Sequence, residues 1–403
     1  MVLMPVADAL ARILQDAKPL AGEWAPLSDA AGRVLAEDVA ARTTQPPAAM
    51  SAMDGYAVRG ADVASVPATL KIVGEVAAGH PFSGAVKPGE AARIFTGGVM
   101  PAGTDTVQIQ ENATRSGDTV TINVPAAAGK NVRRAGLDFA QGDVLLPKSR
   151  RLTDRDLMLA AAMNHANVPV HRQPKVAVLG TGDELVPPGS ALQPGQIVYS
   201  NGFALTALAR QEGAAVTDLG IVPDRVDATV AAIRRARDLG ADILVTCGGA
   251  SVGDHDLVQK SLAAEGLALS FWKVALRPGR PVMHGRLGDK HVLGLPGNPV
   301  SAYVCAILFL VPLIRRLSGR ADLSLASESA VLGADLPAND ERMDFLRATL
   351  RPGPDGALVA APLPIQDSSM MAALAKADCL LIREPHAPAL KAGNRCPIVK
   401  LGF

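Results

Sequence analysis

The stretch DILVTCGGASVGDHDLVQKSLAAEGL, residues 242 to 267, decides the fold of the central part of this chain. The apolar run DILV leads through glycines into a segment with a helical pattern. A strand that passes through a glycine turn into a helix is the repeating unit of an α/β sheet. The stretch therefore predicts an α/β domain and raises the question of what such a turn holds.

Similar strand patterns lie on both sides of this stretch. They are VAVLG after Pro174, then VTDLGIV and HVLGLPG, with helical patterns between them. Alternating β and α segments of this length predict a doubly wound, mostly parallel sheet over residues 174–320. Such a sheet places its strand-to-helix loops along one edge, where ligands bind.

The remaining regions have other patterns, so the predicted fold class is multidomain α/β plus β. Residues 1–42 and 137–173 contain helical patterns and predict an elongated helical or mixed domain, in which Ser28 caps a helix over 27–39 and Thr153 caps another. We also expect a β-rich inserted domain and a small C-terminal β-barrel-like domain. These domains comprise residues 43–136 and 321–403.

Composition excludes several classes of protein. With 403 residues, 48% of them hydrophobic, the chain can bury several cores. Its formal charge of +1 and the lack of a basic cluster argue against nucleic acid as a partner. The four cysteines lie far apart without a CxxC pair, which favours reduced cytosolic thiols over disulfides or a zinc site.

The chain shows no signal for export or membrane insertion. Its N-terminal pattern fits a helix rather than a signal peptide. The apolar run 299–314 is shorter than the roughly 18 residues of a membrane span, and it contains Pro312. We therefore expect a buried helix there, no membrane association and a cytoplasmic location.

The glycine turn has the composition of an anion-binding loop. Gly248 and Gly249 let backbone amides approach a ligand, and the following helix directs its positive end at an anion. Asp254 and Asp256 beside such a loop indicate a divalent cation, and Mg²⁺ suits oxygen ligands. The alternatives are a turn without a ligand and solvated acids on a first helical turn.

Further acids follow other strands of the same sheet. GTGDELVPPG brings Asp183 and Glu184 to one strand end, and GIVPDR brings Asp224 to another. Because the turns share one edge of the predicted sheet, these acids are expected on the same side. The third glycine of a dinucleotide fingerprint is missing, so a nicotinamide or flavin site has weak support.

A basic segment and several glycine turns complete the candidate groups. Lys273, Arg277 and Arg280 lie in a Pro- and Gly-containing segment, which favours oxyanion binding over a solvated helix face. GLPGNPVSA adds Asn298 and Ser301 at a turn that is either a ligand loop or a plain connection. SAMDGYAV and IFTGGVMPAGTDTVQ are, from spacing alone, structural turns.

Taken together and in this order, SAMDGYA, IFTGGVMPAGTDTV, GTGDEL, GGASVGDHD and GLPGNPVSA resemble the MoeA family of molybdopterin molybdenumtransferases, which includes the C-terminal domain of gephyrin. The resemblance covers nearly the whole chain. It implies a homodimer of four-domain protomers that uses Mg²⁺, inserts molybdenum from molybdate into adenylylated molybdopterin, releases AMP and forms the molybdenum cofactor. The molybdopterin adenylyltransferase and molybdoenzyme chaperones are further partners that it implies.

The resemblance also implies a cleft shared between protomers, in which the β-rich domain of one chain meets the α/β domain of the other. The implied catalytic residues are Asp54, Thr96, Glu184, Asp224 and Asp256. The implied metal ligands are Asp54, Asp138, Glu184, Asp224 and Asp256. The implied substrate-binding residues are Gly180, Thr181, Gly182, Gly248, Gly249, Ser251, Asp254, Lys273, Arg277, Arg280, Pro296, Gly297, Asn298, Ser301 and Ser368.

The chain departs from the family pattern at some positions. RPGRP has Arg277 and Arg280 where the family often has lysines. The basic pair Arg133 and Arg134 is followed by AGLD, with Leu137, where the family commonly has GED. In VPDR, Arg225 lies where the family frequently has an acid or an amide. The last two changes bear on metal or molybdate specificity. The alternative functions are an insertase for another oxyanion such as tungstate, the related adenylyltransferase, and a non-catalytic scaffold.

Overall fold

The computed structural model describes residues 3–248, 257–353 and 356–402. The chain begins with α1 (Val6–Gln15), β1 (Gly22–Pro26) and β2 (Val39–Ala40). Helix α1 is amphipathic, and its Ala9 and Ile13 are fully buried in the core of the α/β domain. The first helix therefore packs on the α/β domain, although it precedes it by more than a hundred residues of chain.

The helix predicted over residues 27–39 is wrong. Only a 3₁₀ turn, Leu27–Asp29, forms there. Gly32 adopts a φ of +73°, which ends any helix, and Val34 and Leu35 then bridge in extended form to Arg151 and Val170. Tertiary pairing of this segment overrides its helical spacing.

The inserted domain is a β-sheet, as predicted. Its strands are β3 (Met50–Ser51), β4 (Gly55–Val58), β5 (Ala68–Val76), β6 (Glu90–Ile94), β7 (Thr106–Ile109), β8 (Ala113–Ser116), β9 (Thr119–Ile122) and β10 (Val132–Arg133). Six of them form one sheet in the order β7-β4-β6-β5-β9-β8. Antiparallel pairing of β4 with β6 brings the turns before β4 and after β6 together.

After this domain the chain returns to the first one through β11 (Val144–Leu146), α2 (Asp154–Ala162) and β12 (Asn167–His171). Strands β1 and β2 pair with β12 and β11, so segments on both sides of the insertion share one core. Thr153 caps α2 as predicted, and Asp156 completes a capping box by accepting from the Thr153 backbone.

The α/β domain contains most of the elements predicted for it. They are β13 (Lys175–Thr181), β14 (Leu185–Val186), β15 (Ile197–Val198), α3 (Asn201–Gln211), β16 (Ala215–Val222), α4 (Val226–Asp238), β17 (Ile243–Cys247), α5 (Leu257–Ala264), β18 (Ala268–Trp272), β19 (Leu276–Arg277), β20 (Met283–Leu287), β21 (Lys290–Leu295), α6 (Pro299–Cys305) and α7 (Val311–Leu317). The sheet order is β16-β13-β17-β21-β20-β18. Strands β16, β13, β17 and β21 are parallel, and β20 and β18 add an antiparallel edge.

Helices α6 and α7 are joined by a π-helical segment, Ala306–Leu310. The whole run Pro299–Leu317 has a mean hydropathy of 1.8, which is apolar enough for a membrane span, but 83% of it is buried inside the protein. Phe309 is fully buried in the largest apolar cluster. The run is therefore the core helix of the α/β domain, as the sequence predicts.

The C-terminal domain is a small closed barrel. It consists of β22 (Ser327–Leu332), β23 (Met343–Pro352), β24 (Leu358–Pro362), α8 (Met371–Ala375), β25 (Cys379–Arg383) and β26 (Arg395–Lys400). The order β23-β24-β22-β26-β25 closes because β25 pairs with β23 again. The short helix α8 was not predicted. All four cysteines of the chain are free and buried, in keeping with the prediction of reduced thiols.

Candidate functional site

A cavity of about 1000 Å³ lies at the carboxyl ends of the parallel strands β13, β17 and β21. This is the edge where an open α/β sheet binds its ligands. The cavity brings together many of the predicted residues, because each of them follows one of these strands or β16. Those lining it are Thr181, Gly182, Glu184, Asp224, Gly248, Pro296, Gly297, Asn298 and Ser301.

The turn after β17 requires its first glycine. Gly248 has a φ of +98°, and a Cβ atom there would lie 2.6 Å from the carbonyl oxygen of Thr181. Its N–H donates to the carbonyl oxygen of Leu295, so this turn contacts both neighbouring strand ends. The predicted site residues Gly249, Ser251, Asp254 and Asp256 lie outside the described residues.

Among the described residues, two carboxylates line the cavity, those of Glu184 and Asp224. The backbone N–H of Asp224 donates to a carboxylate oxygen of Asp183 at 3.0 Å, which ties the two acidic turns together. Mg²⁺ is usually held by one or two carboxylates together with phosphate oxygens of a substrate. The donor set of this cavity therefore fits Mg²⁺.

A complete metal site is not formed by the described residues of one chain. Within residues 3–248, 257–353 and 356–402, no group of three or more His, Cys, Asp or Glu side chains is placed to share an ion. Of the five predicted metal ligands, Glu184 and Asp224 line the cavity. Asp54 and Asp138 lie elsewhere in their own chain, and Asp256 is outside the described residues.

Tyr199 forms one wall of the cavity and was missed by the sequence analysis. It is 5% exposed, and its ring fills the space beside Gly180 and Gly202, where added Cβ atoms would lie 2.4 Å and 1.8 Å from it. Its hydroxyl donates to Asp218 at 3.1 Å, and burial raises the pKa of Tyr199. Gly180 therefore makes room for a neutral phenol and does not itself line the cavity.

Asn201 and Cys247 connect strand ends in the cavity wall and were also missed. The amide of Asn201 donates to the carbonyl oxygen of Gly297 at 2.7 Å and to the sulfur of Cys247 at 3.2 Å. Burial raises the pKa of Cys247 to about 12, so its thiol stays protonated at neutral pH. The signal available in the sequence was the polar pair SN, directly before the helix pattern that becomes α3.

The C-terminal barrel supplies part of the cavity wall. Ser369 and Met371 line the cavity. The adjacent Ser368, a predicted site residue, contacts the α/β domain through its hydroxyl, which accepts from the amide of Asn298 at 2.9 Å. Its carbonyl oxygen also accepts from the N–H of Val300 at 3.1 Å.

Asp54 and Thr96 meet in the β-rich domain, outside the cavity of their own chain. One carboxylate oxygen of Asp54 accepts from both the N–H and the hydroxyl of Thr96, each at 2.7 Å. These hydrogen bonds, the backbone one first, lower the pKa of Asp54. Arg93, which the sequence analysis missed, donates to the carbonyl oxygen of Gly55 and stacks 4.8 Å from the ring of Phe95, so it contacts both turns.

The predicted basic triplet is divided among different surroundings. The ammonium of Lys273 lies 4.5 Å from the ring centroid of Trp272. Arg280 is exposed beside Pro281, which lines the cavity. The guanidinium of Arg277 is paired with carboxylates of the C-terminal domain. None of the three side chains lines the cavity, and that of Arg277 is already paired with the C-terminal domain.

Family models match three consecutive parts of the chain. Residues 4–164 match the MoeA N-terminal region (domain I and II), residues 177–316 a probable molybdopterin binding domain, and residues 329–401 the MoeA C-terminal region (domain IV). The cavity edge of the sheet lies within the second of these regions.

Molybdopterin molybdenumtransferases of several bacteria are similar to the chain. The molybdopterin molybdenumtransferase of Haemophilus influenzae is 37% identical over 94% of both chains, and that of Bacillus subtilis is 34% identical over 94% of this chain and 90% of its own. The crystal structure of a molybdopterin biosynthesis MoeA protein from Pyrococcus horikosii matches with a TM-score of 0.86 and 31% identity, covering 100% of both chains. The chain therefore belongs to the MoeA family, the family of these molybdopterin molybdenumtransferases.

Proposed function

We propose that the chain acts as a molybdopterin molybdenumtransferase at this cavity, inserting molybdenum from molybdate into adenylylated molybdopterin with release of AMP. The observation that carries the proposal is the joining of glycine turns and two carboxylates at one sheet edge, inside the region that matches a probable molybdopterin binding domain. The names of relatives that align over nearly the full chain support the same activity.

The glycine turns bind the phosphates of the substrate. The turns at Gly248 and Gly297 let the backbone approach the substrate closely, and the helix that begins at Pro299 directs the positive end of its dipole at the same wall. Asn298 and Ser301 add side-chain donors at the same wall. Tyr199 remains neutral and adds no negative charge to a site for an anionic substrate.

Glu184 and Asp224 would hold Mg²⁺ beside these phosphates, and the family resemblance adds Asp256 to them. When bound, Mg²⁺ neutralises charge on the phosphoanhydride and on molybdate. The positions of Glu184 and Asp224 after β13 and β16 keep both carboxylates at this edge of the sheet. Asp183 keeps the Asp224 turn in position through the backbone hydrogen bond at 3.0 Å. Lys273 and Arg280 attract the oxyanions to the mouth of the cavity.

The working enzyme is a homodimer in which each cavity is completed by the other protomer. Asp54 and Thr96 form an ordered, ionised turn that lies outside the cavity of their own chain, and a second copy brings this turn to the cavity. Asp138 is exposed, and the family resemblance assigns it to the same site. The buried free thiols suit a reducing cytoplasm, where the molybdopterin adenylyltransferase and molybdoenzyme chaperones are further partners.

The decisive experiment follows AMP release from adenylylated molybdopterin by the purified protein. We expect release that depends on both molybdate and Mg²⁺ and that yields cofactor able to activate an apo-molybdoenzyme. An arm with tungstate in place of molybdate tests the selectivity for the oxyanion. Failure of molybdate to stimulate AMP release above the level without it would contradict the proposed activity.

A further inference from the structure

Arg277 lies where the α/β domain and the C-terminal barrel share a sheet. The two-residue strand β19 pairs in parallel with β23, so that Leu276 lies beside Met343 and Arg277 beside Asp344. The N–H of Met343 donates to the carbonyl oxygen of Ala275 at 3.0 Å. A short piece of the α/β domain is thus an edge strand of the barrel.

The guanidinium of Arg277 is occupied by acceptors of the barrel. Its Nε donates to Asp344 at 2.7 Å, and Nη2 bonds the second oxygen of the same carboxylate. Nη1 donates to Asp340 at 3.1 Å, and Nη2 also donates to the side-chain oxygen of Asn339 at 3.2 Å. The side chain of Asp344 is only 6% exposed, so its charge depends on this partner.

This geometry requires arginine and not merely a positive charge. A planar guanidinium presents two parallel N–H groups to one carboxylate, whereas a lysine ammonium is a point charge on a flexible stem. The resembling family often has KPGKP where this chain has RPGRP, with Arg277 at the first of the two basic positions. In this chain, the residue at that position is therefore suited to a fixed contact between two domains.

The barrel has a second contact with the α/β domain, and this one borders the cavity. Ser368 accepts hydrogen bonds from Asn298 and from the N–H of Val300, and the hydroxyl of Ser200 lies 3.4 Å from the sulfur of Met371. The neighbouring Ser369 lines the cavity along with Met371. The same small barrel therefore pairs with Arg277 and supplies residues 368–371 beside the cavity.

We propose that Arg277 is a positioning residue that clasps the C-terminal barrel to the α/β domain and so keeps Ser369 and Met371 at the cavity wall. It acts through Asp344, Asp340 and Asn339 and does not bind the substrate oxyanion. The catalytic consequence rests on the proposed function, whereas the structural contact does not.

The structural part is tested by hydrogen exchange on the full-length protein without substrate. The backbone N–H of Val300 reports directly on the wall contact, because it donates to Ser368. In both Arg277→Lys and Asp344→Asn proteins, exchange at Val300 and over 368–375 is expected to become faster by about tenfold, through easier local opening. Arg395→Lys changes an exposed arginine of the same barrel and is the matched control, with no change expected.

Unchanged exchange in both clasp variants, with the thermal transition still cooperative, overturns the proposal. Because Arg277→Lys retains the positive charge, it serves if Asp344→Asn fails to fold. This measurement needs no enzymatic activity, so a protein without molybdate-stimulated AMP release would contradict the proposed function and leave the clasp intact.

Enzyme kinetics then distinguishes two roles of Arg277: holding the barrel on the α/β domain, or binding the oxyanion substrate. If Arg277 is a clasp, Asp344→Asn raises the KM for adenylylated molybdopterin several-fold and leaves kcat within about twofold, because the wall is displaced and the acids are not. If Arg277 instead binds molybdate, Asp344→Asn frees its guanidinium and the KM for molybdate stays the same or falls. The second outcome overturns the proposal.

Discussion

The cavity of the α/β domain and the Asp54–Thr96 turn of the β-rich domain both present acids, but they hold them differently. Asp54 already accepts two hydrogen bonds at 2.7 Å from Thr96, which fix its direction and lower its pKa. Glu184 and Asp224 line a cavity of about 1000 Å³. The turn therefore fixes its carboxylate by its own hydrogen bonds, whereas the two acids of the cavity border an open space of ligand size.

The two regions are also assembled differently along the chain. The cavity joins turns that follow β13, β16, β17 and β21, which a parallel sheet brings to one edge. The turn depends on one antiparallel pair, in which Gly55 of β4 lies beside Ile94 of β6. A substitution in the cavity is therefore expected to disturb the ends of several strands, whereas a substitution in the Asp54–Thr96 turn is expected to disturb only β4 and β6.

The largest expected effect tests whether the cavity acids hold Mg²⁺ for the reaction. Glu184→Gln keeps the size of the side chain but removes the charge proposed to hold Mg²⁺, and we expect kcat/KM to fall by about 10²–10³-fold. The measurement is molybdate-dependent AMP release over a range of Mg²⁺ concentrations. Asp238→Asn, an acid on α4 that is 76% exposed, is the matched control and should retain activity. A Glu184→Gln enzyme within twofold of wild type would remove this acid from the site.

The second prediction tests the packing that forms the cavity. In Gly248→Ala the new methyl group meets the Thr181 carbonyl oxygen at 2.6 Å and the residue keeps a strained positive φ, so we expect a loss of about 1–3 kcal/mol in the free energy of unfolding. Gly266→Ala is the control, because Gly266 has a φ of +90° with no atom near its Cβ position. Equal losses from both variants, measured by denaturant unfolding, would mean that the close contact is unimportant.

The third prediction tests whether the two regions work together across a dimer. Asp54→Ala and Glu184→Ala proteins should each be inactive. When their subunits exchange, half of the dimers are mixed and each mixed dimer has one intact cavity, so activity should return to about a quarter of wild type. Exchange is verified with differently tagged subunits. Full exchange without recovered activity would place both residues in cavities formed within one chain.

The sequence predicted local elements well where their ends carried specific signals. Thr153 and Asp156 form a capping box, and the helix that they begin is present. The pattern after Ser28 has similar apolar spacing but no such box, and Gly32 turns the chain into extended pairing with distant segments. Helical periodicity alone does not reveal a partner strand that lies more than a hundred residues away.

The site was predictable to the extent that glycines and acids follow strands. The α/β pattern placed Glu184 and Asp224 at the same edge of the sheet, and both line the cavity there. Tyr199 was missed because only the folded structure shows that Gly180 and Gly202 leave space for its ring. The role of Arg277 was equally hidden, since Asp344 becomes its partner only through the pairing of two domains.

The smallest expected effect concerns the Asp54 turn itself. Thr96→Ala removes the hydroxyl bond to Asp54 but keeps the stronger contribution of the backbone N–H, so the pKa of Asp54 should rise yet remain below its ordinary value of 3.8. Because the pKa of Asp54 is lowered in the folded state, its stabilising contribution is complete above the unfolded pKa and is lost as pH falls through the folded pKa. Thr96→Ala should therefore reduce that contribution and complete its loss at a higher pH.

An NMR titration of selectively labelled aspartate measures this shift, and Thr96→Ser, which keeps the hydroxyl, is the matched control. Since Asp54 is ionised at neutral pH in either protein, AMP release should fall only by the few-fold expected from a less firmly held side chain. A loss as large as that of Glu184→Gln would show that Thr96 itself contacts the substrate. The Asp54–Thr96 turn would then bind the substrate directly and would not merely supply the carboxylate of Asp54.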